Sequence, residues 1–151
     1  MAPLSVSADA GLLFVDDDPE NVELLAGILR SSLGVEVHVA LSVETAVEAL
    51  HRGTWRLVVM DLFIPLGTHS MRVLGPRARR YQDQVEHLGG LVLLEEIERL
   101  DHSPIVITHT ACNDHVLLEL FRDRVAARIP KPAPVDTVLT QVIDVWRESF
   151  R

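Results

Sequence analysis

The sequence predicts an α/β fold: an open parallel sheet of five strands with helices on both faces. Two observations carry this. Short, continuous apolar runs that suit strands buried on both faces alternate with longer segments whose apolar residues recur at helical spacing. The most chemically reactive residues then fall where those runs stop, which in a parallel sheet is a single edge.

Leu12-Leu13-Phe14-Val15 is the first apolar run and ends in Asp16, Asp17 and Asp18. Asp18 followed by Pro19 reads as an N-cap and first-turn proline, and Val22, Leu25, Ala26 and Leu29 mark one helical face up to Gly34. Residues 35–40 read as the second strand, and 42–52 as a helix capped by Ser42. Residues 57–60 form a third strand ending at Asp61. Residues 90–100 form a helix with Leu91, Leu94 and Ile97 inward, and 105–107 a fourth strand closed by Thr108, His109 and Thr110. A helix over 113–122, a short strand over 126–129 ending before Lys131, and a closing helix over 134–150 complete the pattern. The last helix is expected to bury Val135, Val138, Leu139, Val142 and Trp146.

Residues 65–89 break this rhythm. Connections in such folds take about two to six residues, so a span of roughly 25 is an insertion. Gly75-Pro76 could start a short helix within it carrying Arg77, Arg79, Arg80 and Tyr81. Its simplest role is a tolerated surface insertion; a lid or docking element is the alternative, its arginines suiting an acidic kinase surface or a phosphate.

A chain of 151 residues suits one domain over 1–151, with 1–10 as a loose leader. A net charge of −8 argues against an electrostatic nucleic-acid binder, which carries a basic face. The single cysteine, Cys112, permits no internal disulfide, and no signal peptide or long apolar run is present, so a cytoplasmic location without membrane contact is expected. The seven histidines are scattered without ligand spacing, which argues against zinc. Cys112 reads as a small core residue rather than a nucleophile.

Lys131 is the only lysine beside thirteen arginines. Lysine presents a compact charge on a flexible stem where arginine presents a planar fork, so this position suits one small anionic group. Asp16, Asp17 and Asp61 would repel one another at one sheet edge unless a cation lay among them, and a hard divalent ion with oxygen ligands, Mg²⁺, fits best. With a lysine and a threonine hydroxyl nearby, the set reads as a phosphoryl-transfer site.

Four motifs, Val15-Asp16-Asp17-Asp18-Pro19, Val59-Met60-Asp61-Leu62-Phe63-Ile64-Pro65, Thr110-Ala111 and Lys131-Pro132, lie in order at strand ends. Through them the chain resembles the receiver domain of two-component response regulators over nearly its whole length. The resemblance implies the flavodoxin-like strand order 2-1-3-4-5. It makes Asp61 the phosphoacceptor, taking its phosphoryl group from a sensor histidine kinase or a phosphotransfer protein. Asp17 and Asp61 would ligate Mg²⁺ with the Phe63 carbonyl, and Asp16 through water. Thr110 would be the switch hydroxyl and Lys131 the phosphate partner, followed by a cis peptide to Pro132. Signalling would pass by contact to a downstream protein, no output domain following, and the domain would not turn over substrate as an enzyme does.

The chain also departs from that pattern. Counting back from Lys131 without a gap puts His109 at the switch position; the local match Thr110-Ala111-Cys112-Asn113-Asp114 favours Thr110 with a shortened turn after the fourth helix. Arg128 stands three before the lysine, where the family has an aromatic switch. Phe63, two beyond the acceptor, places an apolar ring where polar groups often position the hydrolytic water, so slow dephosphorylation is expected. Val116, Leu117, Leu118, Leu120 and Phe121 make the fourth helix apolar all round. Any part of it left exposed would form a homodimer or partner surface across the fourth and fifth helices. Two rival readings are a receiver-like adaptor independent of phosphorylation and, from Asp16-x-Asp18, a haloacid-dehalogenase-like phosphatase, against which Glu20 and the chain length count.

Overall fold

The computed structural model describes residues 10–67 and 89–151. Most of the leader, most of the insertion and the short helix expected at Gly75-Pro76 lie outside the described residues.

In chain order the elements are β1 (Gly11–Val15), α1 (Pro19–Leu33), β2 (Val37–Ala40), α2 (Val43–Arg52), β3 (Trp55–Met60), α3 (Gly89–Glu98), β4 (Ile105–Thr110), α4 (His115–Glu119), β5 (Ala127–Pro130) and α5 (Val135–Glu148). The five strands form one sheet in the order β2-β1-β3-β4-β5, every pair parallel. This is the fold class that the alternating pattern and the motifs predict.

Strand alternation divides the core in two. Leu13, Val15, Val58, Met60 and Val106 face α2, α3 and the Leu117–Phe121 segment. Leu12, Phe14, Leu57, Val59, Ile107 and Ile129 face α1 and α5. Because β1 is buried on both faces, all five of its residues are inaccessible, which is why its sequence is an unbroken apolar run.

Local chemistry accounts for most element ends. Asp18 occupies the N-cap position of α1, but its side chain makes no capping hydrogen bond; Pro19 follows, and the helix stops at Gly34 in the left-handed region (φ 63°). The α2 start is a reciprocal cap: the Thr45 amide donates to Ser42 Oγ and the Ser42 amide to Thr45 Oγ1, both at 3.2 Å. Two further first-turn amides, those of Val43 and Glu44, donate to the carbonyls of Pro65 (2.9 Å) and Leu66 (3.1 Å), joining α2 to the loop after β3.

The insertion leaves and re-enters at one point. The Gly89 amide donates to Ile64 O (2.9 Å) and the Gly90 amide to Leu62 O (3.0 Å), so the chain returns to the loop it left and the sheet is not disturbed. A Cβ on Gly90 would lie 2.7 Å from Leu62 Cα and 2.9 Å from Asp61 O, so only glycine allows α3 to start against that loop. This close approach also buries Val92 and Leu93 with the expected Leu91, Leu94 and Ile97.

Several boundaries differ from expectation. The second strand begins at Val37 rather than Val35, after the turn through Gly34. The fourth strand continues to Thr110 because β5 pairs along it as far as Thr110 opposite Pro130. The fourth helix is only His115–Glu119: Asp114 caps it by accepting the Val116 (2.9 Å) and Leu117 (3.3 Å) amides, and turns follow it. Within this segment Leu117 and Phe121 are buried and Val116 is exposed, a smaller exposed remainder than an all-round apolar helix implied. Val135 is exposed rather than buried, since it is the first residue of α5 and precedes the turn that meets the sheet.

Among the described residues no helix is long and apolar enough to cross a membrane.

Candidate functional site

The carboxyl ends of β1, β3, β4 and β5 converge, and with them the residues singled out by sequence. The Asp16 amide donates to Ala40 O (3.0 Å) and the Asp61 amide to Val15 O (3.0 Å), so each carboxylate leaves its strand from a position still held in the sheet. Both are buried, at 1% and 5% exposure, whereas Asp17 is exposed at the mouth. Backbone amides orient the two buried groups: Asp18 N–H donates to Asp16 Oδ1 and Phe63 N–H to Asp61 Oδ1, each at 3.1 Å.

Lys131 bridges them. Its Nζ donates to Asp16 Oδ2 at 2.6 Å and Asp61 Oδ2 at 2.9 Å. The Lys131 amide donates to Thr110 O (3.0 Å), and the peptide bond to Pro132 is cis, as the resemblance implies. Burial pulls the ammonium pKa down, but the hydrogen bonds it donates to Asp16 and Asp61 outweigh it and leave the pKa raised.

Asp16, Asp17 and Asp61 each present an oxygen within 4.8 Å of the others. Partial desolvation, then repulsion from Asp16 and Asp61, raises the Asp17 pKa above its ordinary value. Three carboxylates facing one ammonium leave an excess of negative charge built from hard oxygen donors, a donor set that fits Mg²⁺. Phe63, 38% exposed, stands at the rim.

Thr110 and His109 are separated by the pleat. The core division puts Val106 on the α3 side and Ile107 on the α1 side, so alternation carries Thr108 and Thr110 to the first face and His109 to the second. Thr110 Oγ1 accepts the Cys112 amide at 3.3 Å. His109 is buried with Nδ1 3.1 Å from Ile129 O, and burial lowers its pKa. Arg128 pairs with Thr108 across β4 and β5 and shares its face.

Two features were not read from the sequence. Asp16 and Lys131, far apart in the chain, form a direct ion pair, whereas the family pattern suggested only a water-mediated metal contact for Asp16. A cleft joins His115 and Leu118 to Arg128 and Thr110; the arginine in place of an aromatic residue was its one sequence signal. Cys112 is half-buried, and burial raises its thiol pKa, in keeping with a packing role.

No family model and no curated protein matches the sequence. Solved structures match the fold throughout. A response regulator receiver domain from Methanospirillum hungatei superposes with a TM-score of 0.69 at 19% identity, covering 93% of this chain and 95% of its own. The signal receiver domain of a putative LuxO repressor protein from Vibrio parahaemolyticus gives 0.68 at 18% identity, over 93% and 92%. The receiver domain of a sensor histidine kinase from Pseudomonas aeruginosa, solved with a magnesium ion in its active-site cleft, gives 0.62 at 21% identity, over 91% and 96%. The chain has the receiver fold.

Proposed function

We propose that this chain is a response-regulator receiver that accepts a phosphoryl group on Asp61 from a histidine kinase or phosphotransfer protein and signals by protein contact. The observation that carries this is the Lys131 bridge: one ammonium, within hydrogen-bond reach of a buried acceptor carboxylate, among acids able to hold a divalent cation.

In the proposed reaction an Asp61 carboxylate oxygen attacks phosphorus. The P–N bond to the donor imidazole breaks as the P–O bond forms, and the leaving nitrogen keeps the bonding pair. The Phe63 amide orients the attacking carboxylate through Oδ1, and Lys131 transfers a hydrogen bond from Asp61 to a phosphoryl oxygen. Asp16, Asp17, Asp61 and the Phe63 carbonyl would hold Mg²⁺, which when bound neutralises charge on the phosphoryl oxygens. Thr110, on the face shared with Arg128, is assigned the switch hydroxyl in preference to Thr108 or His109, and relays acylphosphate formation to the β4–α4–β5 surface. The domain takes one phosphoryl group and releases it slowly rather than turning over.

Intact-mass spectrometry after incubation with Mg²⁺ and acetyl phosphate tests this. A single metal-dependent phosphoryl adduct is expected in the wild type and none in Asp61→Asn. No adduct in the wild type, with no binding of a beryllofluoride mimic, would transfer the assignment to a phosphorylation-independent adaptor.

Phe63 sets a second expectation. Its half-exposed ring at the rim offers no hydrogen bond to an attacking water, so Phe63→Asn should shorten the lifetime of the adduct several-fold. Adduct decay followed by mass after donor removal checks this, and an unchanged decay rate would remove the ring from the account.

A further inference from the structure

A cleft of about 360 Å³ opens beside α4 and the ends of β4 and β5, lined by Thr110, Cys112, His115, Leu118, Arg128 and Pro130 among others. Its charge balance is unusual for this chain, which carries 22 acids against 14 lysines and arginines. Among the described residues Arg128 makes no ion pair or hydrogen bond through its guanidinium. The cleft lining holds no acid, and four acids of α3 and the α4 segment are engaged elsewhere: Asp114 caps α4, Glu119 pairs with Arg122, and Glu95 and Glu98 pair with Arg124. An exposed arginine is thus left unmatched in a concave wall, with the His115 imidazole on the same lining.

We propose that this cleft reads an acidic side chain of a partner protein, its carboxylate taken by Arg128 and its apolar neighbours resting on Leu118 and Pro130. A guanidinium offers a carboxylate two parallel N–H donors, which a neutral aromatic ring at this position could not. Leu118 and Pro130 line the same cleft as Arg128, so apolar surface adjoins the guanidinium and suits an acidic residue carried on a polypeptide rather than a small carboxylate. Thr110 forms part of the wall, so acylphosphate formation on Asp61 would change the cleft; in that respect the proposal rests on the receiver reading.

The test is selection of binders from a random 12-residue peptide display library by the full chain, with Mg²⁺ and beryllium fluoride present. The net charge of −8 would by itself favour basic peptides. Selected sequences are instead expected to be several-fold enriched in Asp and Glu and to bind Arg128→Gln at least tenfold more weakly, with Arg128→Lys intermediate. Basic or neutral winners, or equal affinity for Arg128→Gln, would overturn the proposal. Glutarate alone binding as tightly as the selected peptides would overturn the assignment to a partner protein. Adduct formation on wild-type Asp61 is measured separately. Failure of the receiver reading therefore shows as a missing adduct, and failure of this proposal as a missing acid preference with the adduct intact.

Discussion

Lys131→Met is expected to slow phosphoryl acceptance at Asp61 by about 10²–10³-fold, the cost of removing one preorganised electrostatic stabiliser from such a site. It should also destabilise the metal-free protein by about 1–3 kcal/mol at neutral pH, because two buried carboxylates lose their shared hydrogen-bond donor. The sign follows from the raised ammonium. A cation whose folded pKa lies above its unfolded value contributes stability that is fully present below the unfolded pKa and is lost as pH rises through the folded one. At pH 7 the wild type therefore keeps the whole contribution and the methionine variant none. Methionine approximates the stem, so packing changes little while the charge disappears. Lys131→Arg is the sharper comparison. It keeps the charge, but a planar fork cannot occupy the point between Asp16 Oδ2 and Asp61 Oδ2, so acceptance should stay well below wild type. Urea unfolding without divalent ions and adduct formation with acetyl phosphate measure the two effects. An arginine variant equal to wild type would remove the argument that a compact cation is required.

The fold was legible because burial on both faces leaves a plain mark. Leu12–Val15 and Leu57–Met60 need apolar side chains at every position, and each run ends where an acid reaches the sheet edge. Strand order is another matter: alternating runs are compatible with several orders, and 2-1-3-4-5 followed from the motif resemblance rather than from the runs. Where local signals compete with tertiary context, the reading was less accurate. The apolar residues after Asp114 look like a long helix, yet the segment turns after Glu119 and Arg124 then ties it to Glu95 and Glu98 on α3. Val135 follows the apolar period of α5 but sits at its exposed start.

Within the site, the residue types were legible and their pairings were not. Counting along the chain could not choose between His109 and Thr110, because a slip of one residue moves a strand side chain to the opposite face. In the sheet, the β4–β5 register and the pleat put Thr108 and Thr110 on the face of Arg128, while His109 lies on the other with Nδ1 3.1 Å from Ile129 O. The Asp16–Lys131 contact likewise depends on β1 and β5 both ending at one corner of a sheet in which they are not neighbours.

Asp17→Asn is expected to raise the thermal midpoint of the metal-free protein while abolishing its stabilisation by Mg²⁺. Asp17 sits at the mouth of the cluster with its pKa raised, first by partial desolvation and then by Asp16 and Asp61. An acid whose folded pKa exceeds its unfolded value opposes folding once ionised, and the penalty is relieved as pH falls through the folded pKa. Near neutrality the wild type bears the full repulsion and the amide bears none. Because Asp17 is exposed, solvent screens much of that repulsion, and the gain should be only about 1–3 °C. Millimolar Mg²⁺ should reverse the order. A cation bound among three carboxylates stabilises the folded wild type in proportion to its affinity, whereas the variant has lost a charged ligand. Thermal melts of both proteins at pH 7, with and without Mg²⁺, give four midpoints whose ranking should cross on adding metal. If wild type and Asp17→Asn gained equally from Mg²⁺, Asp17 would not be a ligand. If the metal-free midpoint of the variant fell instead, the acids would not be in net repulsion, and the Lys131 bridge would already suffice to neutralise them.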